Sequence, residues 1–427
     1  MMKKYILTFC MILALTGGAA AQEEPKTGFS FAGLPFAGYH PDKGFQTGAV
    51  VNVYDFRGEG TYPNPRQHIY ADGSWYPQGA QRYTLGYDNR FLIPGIRFTF
   101  TAQFLNEKAH AFYGFGGYAS YYDDALPTDY YRLSRKVPAA KLDFTGRIAD
   151  HFYWKFGYHF KYFILDEVGT ENLQQVPFAM SLFTWYKQLG FIEADEFAGG
   201  MVSAWRAGLC YDSRDAENSP TRGLWADAFM EWAPGWMGTN KPYGRYYAVL
   251  RQYIPLHGDR LVFAYRANVQ GFLGKPAFYV LPWESMIGPG FDNGGFGGYN
   301  TLRGIMTDRI QGQAVCYFNT ELRGRFYDTR ILGQNLSLGA NVFFEGGRVL
   351  KNYSDVSVDA SLWSRHPEQI PEQLLKGGRE GFHLSAGLGF RAMLNRNFII
   401  AVDYGRAFDR QDNGRGGAIY VNTGYLF

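Results

Sequence analysis

The sequence predicts an all-β fold, a 16-stranded antiparallel transmembrane β-barrel. Three observations carry that expectation. Segments of about ten residues alternate between aromatic and polar side chains, which suits the roughly 9 to 11 residues of a tilted membrane strand. Aromatic residues make up 18% of the chain although its mean hydropathy is negative, as expected of a wall that meets lipid outside and water inside. After Leu15 no stretch is apolar for long enough to cross a membrane as a helix, which takes roughly 20 residues.

The N-terminus has the three-part layout of a secretory signal peptide. Lys3 and Lys4 precede an apolar run from Tyr5 to Leu15, and Gly17-Gly18-Ala19-Ala20-Ala21 follows. Residues 1-21 are therefore expected to be removed after Ala21. The run is too short for a spanning anchor. Cys10 lies inside it rather than at the processing point, which argues against a lipoprotein. Residues 22-46, rich in Gly and Pro, read as a lead-in or lumen segment, and the barrel is expected over 47-427.

Strands are expected near 47-55, 66-76, 81-90, 95-105, 111-121, 139-148, 151-163, 201-211, 222-232, 243-254, 259-271, 311-326, 337-346, 382-391, 396-405 and 417-427. The sixth alternates Lys141, Asp143, Thr145 and Arg147 with Leu142, Phe144, Gly146 and Ile148. In the seventh, Phe152, Trp154, Phe156, Tyr158, Phe160 and Tyr162 share one face, with Tyr153, Lys155, His159 and Lys161 on the other. The twelfth places Gln311, Gln313, Asn319, Glu321, Arg323 and Arg325 opposite Gly312, Ala314, Cys316, Phe318, Leu322 and Phe326. Ile419, Val421, Thr423, Tyr425 and Phe427 share a face of the last, and a final aromatic there resembles the C-terminal assembly signal of bacterial outer-membrane proteins. A soluble sandwich would also alternate, but long aromatic faces on strand after strand favour the barrel. Connections after odd strands include the long 164-200, 272-310 and 347-381, whereas those after even strands are mostly short, the asymmetry of outer-membrane barrels. An even strand number lets the sheet close without an unpaired edge in lipid.

Composition excludes several functions. Lys and Arg number 42 against 39 Asp and Glu, and two of the lysines leave with the signal, so the nearly neutral mature chain shows no nucleic-acid footprint. Cys210 and Cys316 are too few for a disulfide framework and read as packing residues. No G-x-S-x-G, Walker-type or H-E-x-x-H motif occurs, and neither a cofactor nor a metal is expected. Outer-membrane hydrolases assemble their sites from separate strands, for which His151, His159 and His383 are candidates; lumen or girdle histidines are the alternative. Asp123-Asp124 and the pair Asp212 and Asp215 offer too few ligands for Ca²⁺. Gly288 to Gly298 lacks the strand-to-helix setting of a phosphate cradle and suits the folded-back path of a loop.

Four motifs occur in an order that points to one family. They are Leu302-Arg303-Gly304-Ile305 in the long connection between strands 11 and 12, the turn Tyr211 to Gly223 ending in Pro220-Thr221-Arg222-Gly223, Glu321-Leu322-Arg323, and Phe343-Phe344-Glu345-Gly346-Gly347. Together they resemble the loop-six motif, the P-T-x-G turn, the E-L-R strand and the F-x-D-x-G strand of the BamA/TamA superfamily. The resemblance implies that loop six enters the barrel and that Arg303 meets Glu321 and Glu345 there. A desolvated arginine requires such carboxylates. Leu302, Ile305 and Glu345 depart from the usual residues at their positions.

It further implies an outer-membrane location in a Gram-negative bacterium, contact with outer-membrane lipid and lipopolysaccharide, and periplasmic or outer-membrane protein partners. The implied activity is assembly or translocation of outer-membrane or exported proteins through a seam between strands 1 and 16. Family members carry periplasmic POTRA domains, and the short stretch before residue 47 is expected to hold none. A passive channel or structural barrel and, more distantly, a surface hydrolase are the other readings.

Overall fold

The computed structural model describes residues 28–40, 44–57, 65–169, 173, 180–216, 219–288, 293–331, 334–353, 377–394, 398–414, 416–423 and 425–427. The signal peptide expected at 1-21 lies outside the described residues. Among the described residues, sixteen antiparallel strands form a closed barrel. They are β1 Phe29–His40, β2 Gly44–Asp55, β3 Gln67–Trp75, β4 Gln81–Ile93, β5 Ile96–Ala111, β6 Arg132–Ala149, β7 Phe152–Asp166 and β8 Gly199–Asp212, followed by β9 Gly223–Ala233, β10 Tyr243–His257, β11 Leu261–Leu273, β12 Ala314–Ile331, β13 Gln334–Lys351, β14 His383–Leu394, β15 Phe398–Ala407 and β16 Ala418–Thr423. Each strand pairs with its neighbours in sequence, and β1 closes on β16 through Tyr39 opposite Val421.

The alternation sets the two faces of the wall. On β7, Phe156, Tyr162 and Ile164 are exposed on the outside, while His159, Lys161 and Phe163 are buried inside. On β12 Leu322 faces out, and Asn319, Glu321 and Arg323 face in.

Three expectations need correction. Residues 29–40, read as part of a lead-in, form β1, paired along its length with β2 from Phe29 opposite Asp55 to His40 opposite Gly44. Its Pro35 sits opposite Ala49, and with one pair to β16 among the described residues the strand tolerates the missing N–H. Conversely, 111–121 is not a strand. After Ala111 the chain leaves the wall, and Phe112, Tyr113 and Phe115 enter a buried aromatic cluster. The two errors offset each other, so the strand count is unchanged. The third concerns β16, which ends at Thr423 instead of running on to 427. Tyr425 and Phe427 turn against Arg323, whose guanidinium lies 4.3 and 4.8 Å from their ring centroids and donates to the Phe427 carbonyl at 2.8 Å. A cation with two aromatic faces and an acceptor outcompetes continued lipid-facing alternation there.

The long connections build a second core at one end of the barrel. A short helix, α1 (Leu182–Gln188), is capped by the Ser181 hydroxyl, which accepts from Thr184 N at 3.2 Å. Its Phe183 and Tyr186 pack edge-to-face on Phe112, and Phe278 joins them from the β11–β12 connection. This cap explains why aromatic alternation misled at 111–121: a loop core needs the same side chains as a lipid-facing strand. Cys210 and Cys316 are both free thiols.

Candidate functional site

The β11–β12 connection, described over 274–288 and 293–313, enters the lumen and is fastened to opposite walls. Its first half contains a two-residue pairing of Trp283–Glu284 with Asn293–Gly294. The Trp283 carbonyl accepts from Arg245 on β10 (3.1 Å) and Gln270 on β11 (2.9 Å). Glu284 accepts from the Tyr247 hydroxyl on β10 at 3.0 Å, from Asn268 on β11 at 3.1 Å, and from the Tyr317 hydroxyl on β12. Ser285 donates to Glu231 on β9 at 2.9 Å, Lys141 on β6 donates to the Gly288 carbonyl at 2.8 Å, and Asp143 on β6 accepts Gly288 N at 3.1 Å. The Lys161 ammonium lies 4.0 Å from the Trp283 ring centroid.

The second half carries the arginine. Arg303 is fully buried. Its Nε donates to Glu345 Oε1 at 2.9 Å, its backbone N donates to Glu345 Oε2, and Nη2 donates to both Glu345 and Glu321. Nη1 lies 3.3 Å from Asp403 Oδ2. The Phe343 ring covers the guanidinium at 3.7 Å. Burial alone would weaken the hold on its proton, but Glu345, Glu321 and Asp403 outweigh it and raise the Arg303 pKa above its ordinary value. Three carboxylates around one cation leave negative charge over, and two further arginines balance it. Arg323 donates to Glu321 Oε2 at 2.7 Å, and Arg391 grips Asp403 with both nitrogens at 2.9 and 3.1 Å.

The neighbours of Arg303 fix its backbone. Gly304 has φ +88°, and a Cβ there would lie 2.5 Å from Arg406 N on β15, so both conformation and space demand glycine. Gly304 N donates to the Tyr420 hydroxyl on β16 at 3.0 Å. The Thr301 carbonyl accepts from Asn319 on β12 at 2.6 Å and from Arg266 on β11 at 3.3 Å. Leu302 and Ile305 are buried with Phe296, Val315 and Val349. Past the turn, Asp308 meets His110 on β5 at 2.9 Å. The loop therefore spans the lumen and touches strands around most of its circumference.

Of the residues singled out in the sequence, Leu302, Arg303, Gly304, Ile305, Glu321 and Glu345 come together here, whereas Tyr425 and Phe427 reach the edge of the cluster through Arg323. Asp403, Arg391 and Tyr420 were missed. Asp403 was legible in principle, as an acid flanked by the lipid-facing Val402 and Tyr404. Glu284 was not, because a loop has no parity to read. His159 faces the lumen 3.6 Å from Glu231, and His151 lies in the β6–β7 turn with Nδ1 3.0 Å from the Asp212 carbonyl. Asp212 is engaged by Arg214, Asp215 by Thr221, and Asp124 by Arg410.

A family model described as the Omp85 superfamily domain matches residues 80–427. Among solved structures, BamA from Haemophilus ducreyi lacking POTRA domains 1-3 is similar at 15% identity with a TM-score of 0.56, covering 93% of this chain and 69% of that one. CdiB from Escherichia coli is similar at 10% identity with a TM-score of 0.57, covering 94% of this chain and 63% of its own. At such identities the likeness is one of fold. No curated protein matches the sequence.

Proposed function

The chain belongs to the Omp85 superfamily, and on that premise we propose that it assembles or translocates outer-membrane or exported proteins in the outer membrane of a Gram-negative bacterium, after export on a cleaved signal peptide. The observation that carries this reading is the loop that crosses the lumen and is fastened at both walls. A passive pore needs a continuous aqueous path, and a buried loop held by desolvated ion pairs is a costly way to block one. In a machine whose barrel must hold its shape while a client engages the wall, the same loop acts as an internal brace.

In this role Arg303, Glu321 and Glu345 anchor the brace, Gly304 lets it approach β15, and lipid and lipopolysaccharide surround the wall. The residues described act by binding and bracing, and no bond-making chemistry is assigned to them.

The test is depletion of the protein followed by quantitative comparison of outer-membrane and exported proteins, with complementation by wild type and by Arg303→Ala. A fall in specific barrels or exported proteins that wild type restores and Arg303→Ala does not is the expected result. Unchanged levels, together with steady selective conductance of the purified protein in planar bilayers, would establish a passive channel instead.

A further inference from the structure

We infer that His383 is the hub of a proton-dependent latch that holds the long connections closed over one end of the barrel. His383 begins β14 and is fully buried. Its Nδ1 lies 2.5 Å from Asp412 Oδ1, and its Nε2 lies 3.2 Å from Glu380 Oε1. A neutral imidazole has a single N–H and would turn a lone pair on one of these carboxylates. Only the imidazolium donates to both. The Tyr118 ring stacks on the imidazole at a centroid distance of 4.0 Å, a further preference for the cation.

The two carboxylates are also clamps. Glu380, from the β13–β14 connection, accepts Tyr118 N at 2.9 Å and Val349 N at 3.0 Å. Asp412, from the β15–β16 connection, accepts the Tyr118 hydroxyl at 3.1 Å, and its carbonyl accepts Met306 N of the lumen loop at 2.9 Å. Arg309 of the same loop completes the charged set facing the histidine. It lies 3.9 Å from Asp412 and donates to the Gly117, Ser120 and Gln411 carbonyls at 2.9, 2.8 and 2.7 Å. Four connections thus meet around one side chain.

The charges determine the direction of the switch. With His383 protonated, two cations face two carboxylates. When the proton leaves, a buried net negative charge remains and one carboxylate loses its donor. The latch holds while the imidazolium persists and loosens as pH rises. Release frees the β5–β6 and β15–β16 connections from β14 and Glu380, leaving them held only from the side of the lumen loop, while the arginine cluster at Glu321 and Glu345 contains no histidine and stays shut.

Hydrogen exchange of the full chain in phospholipid vesicles, corrected for the intrinsic pH dependence of exchange, tests this between about pH 6 and about pH 10, a range in which a histidine proton can be lost. Protection over 112–131 and 408–414 is expected to fall about tenfold as the latch opens, with β12 and β13 unchanged. His383→Gln is expected to be weakly protected in those segments at every pH. The wild-type series stands without the variant: protection that stays constant over the range, or falls equally in β12 and β13, overturns the proposal. So does a folded His383→Gln protein that keeps the wild-type pH dependence.

Discussion

The wall formed by β12 and β13 and the seam between β1 and β16 are built from the same kind of strand but held in different ways. β12 and β13 pair from Ala314 opposite Lys351 to Ile331 opposite Gln334, and their inner faces supply Glu321 and Glu345 to Arg303. At the seam, among the described residues, one register pair, Tyr39 opposite Val421, joins β1 to β16, which spans Ala418–Thr423. On its other side β16 pairs fully with β15, and Tyr420 ties it to Gly304 of the lumen loop. β16 is therefore held by β15 and by the loop more than by β1. The barrel has one wall whose backbone ladder and ion pairs reinforce each other, and one joint where, among the described residues, the ladder is short and a loop contributes to holding the strand.

The largest effect is expected from locking the joint. A disulfide between Tyr39→Cys and Val421→Cys should abolish activity under oxidising conditions and restore it on reduction, with the barrel folded in both states. Activity indifferent to the crosslink would mean that the weak seam has no mechanical role.

Next is Arg303→Ala, which leaves Glu321, Glu345 and Asp403 facing one another in a buried site. Removing one partner of such a cluster costs about 3–5 kcal/mol, and the loop should become sensitive to added protease while the strands remain protected. Gly304→Ala should cost about 1–3 kcal/mol through its backbone conformation, with further loss from the contact with Arg406. Loop docking measured by the same proteolysis should weaken less than in Arg303→Ala.

The smallest change, Tyr420→Phe, removes the acceptor of Gly304 N and costs about 1–3 kcal/mol for the unsatisfied buried donor. It sharpens the comparison because it should raise hydrogen exchange in β16 without affecting β12 or β13. Equal exchange in both regions would show that the loop does not support the seam.

Several parts of this arrangement were legible because the barrel wall imposes a period of two. Parity alone put Glu321 on the inner face, and the motif around Arg303 supplied its partner. Asp403 obeys the same parity and could have been read from it. Where no wall imposes the period, the signal fails. The aromatic residues at 112–115 imitate a strand because a loop core and a lipid-facing surface select the same side chains, and Gly33, Pro35 and Gly38 disguise β1 because a strand at a poorly paired joint escapes the usual demand for β-formers.

The sequence by itself determined the class of fold, the inward and outward faces of most strands and the inner-face position of Glu321, while the resemblance of its motifs pointed to Arg303 and Glu345. Only the tertiary structure decided that the third acid is Asp403, that Glu284 fastens the loop to the opposite wall, that Tyr420 ties the loop to the seam, and that His383 joins four connections. The physical reason is separation along the chain. Alternation is a local property of consecutive residues, whereas the charge balance of a buried cluster depends on side chains from distant strands and loops, and their meeting is fixed only when the barrel closes around the loop.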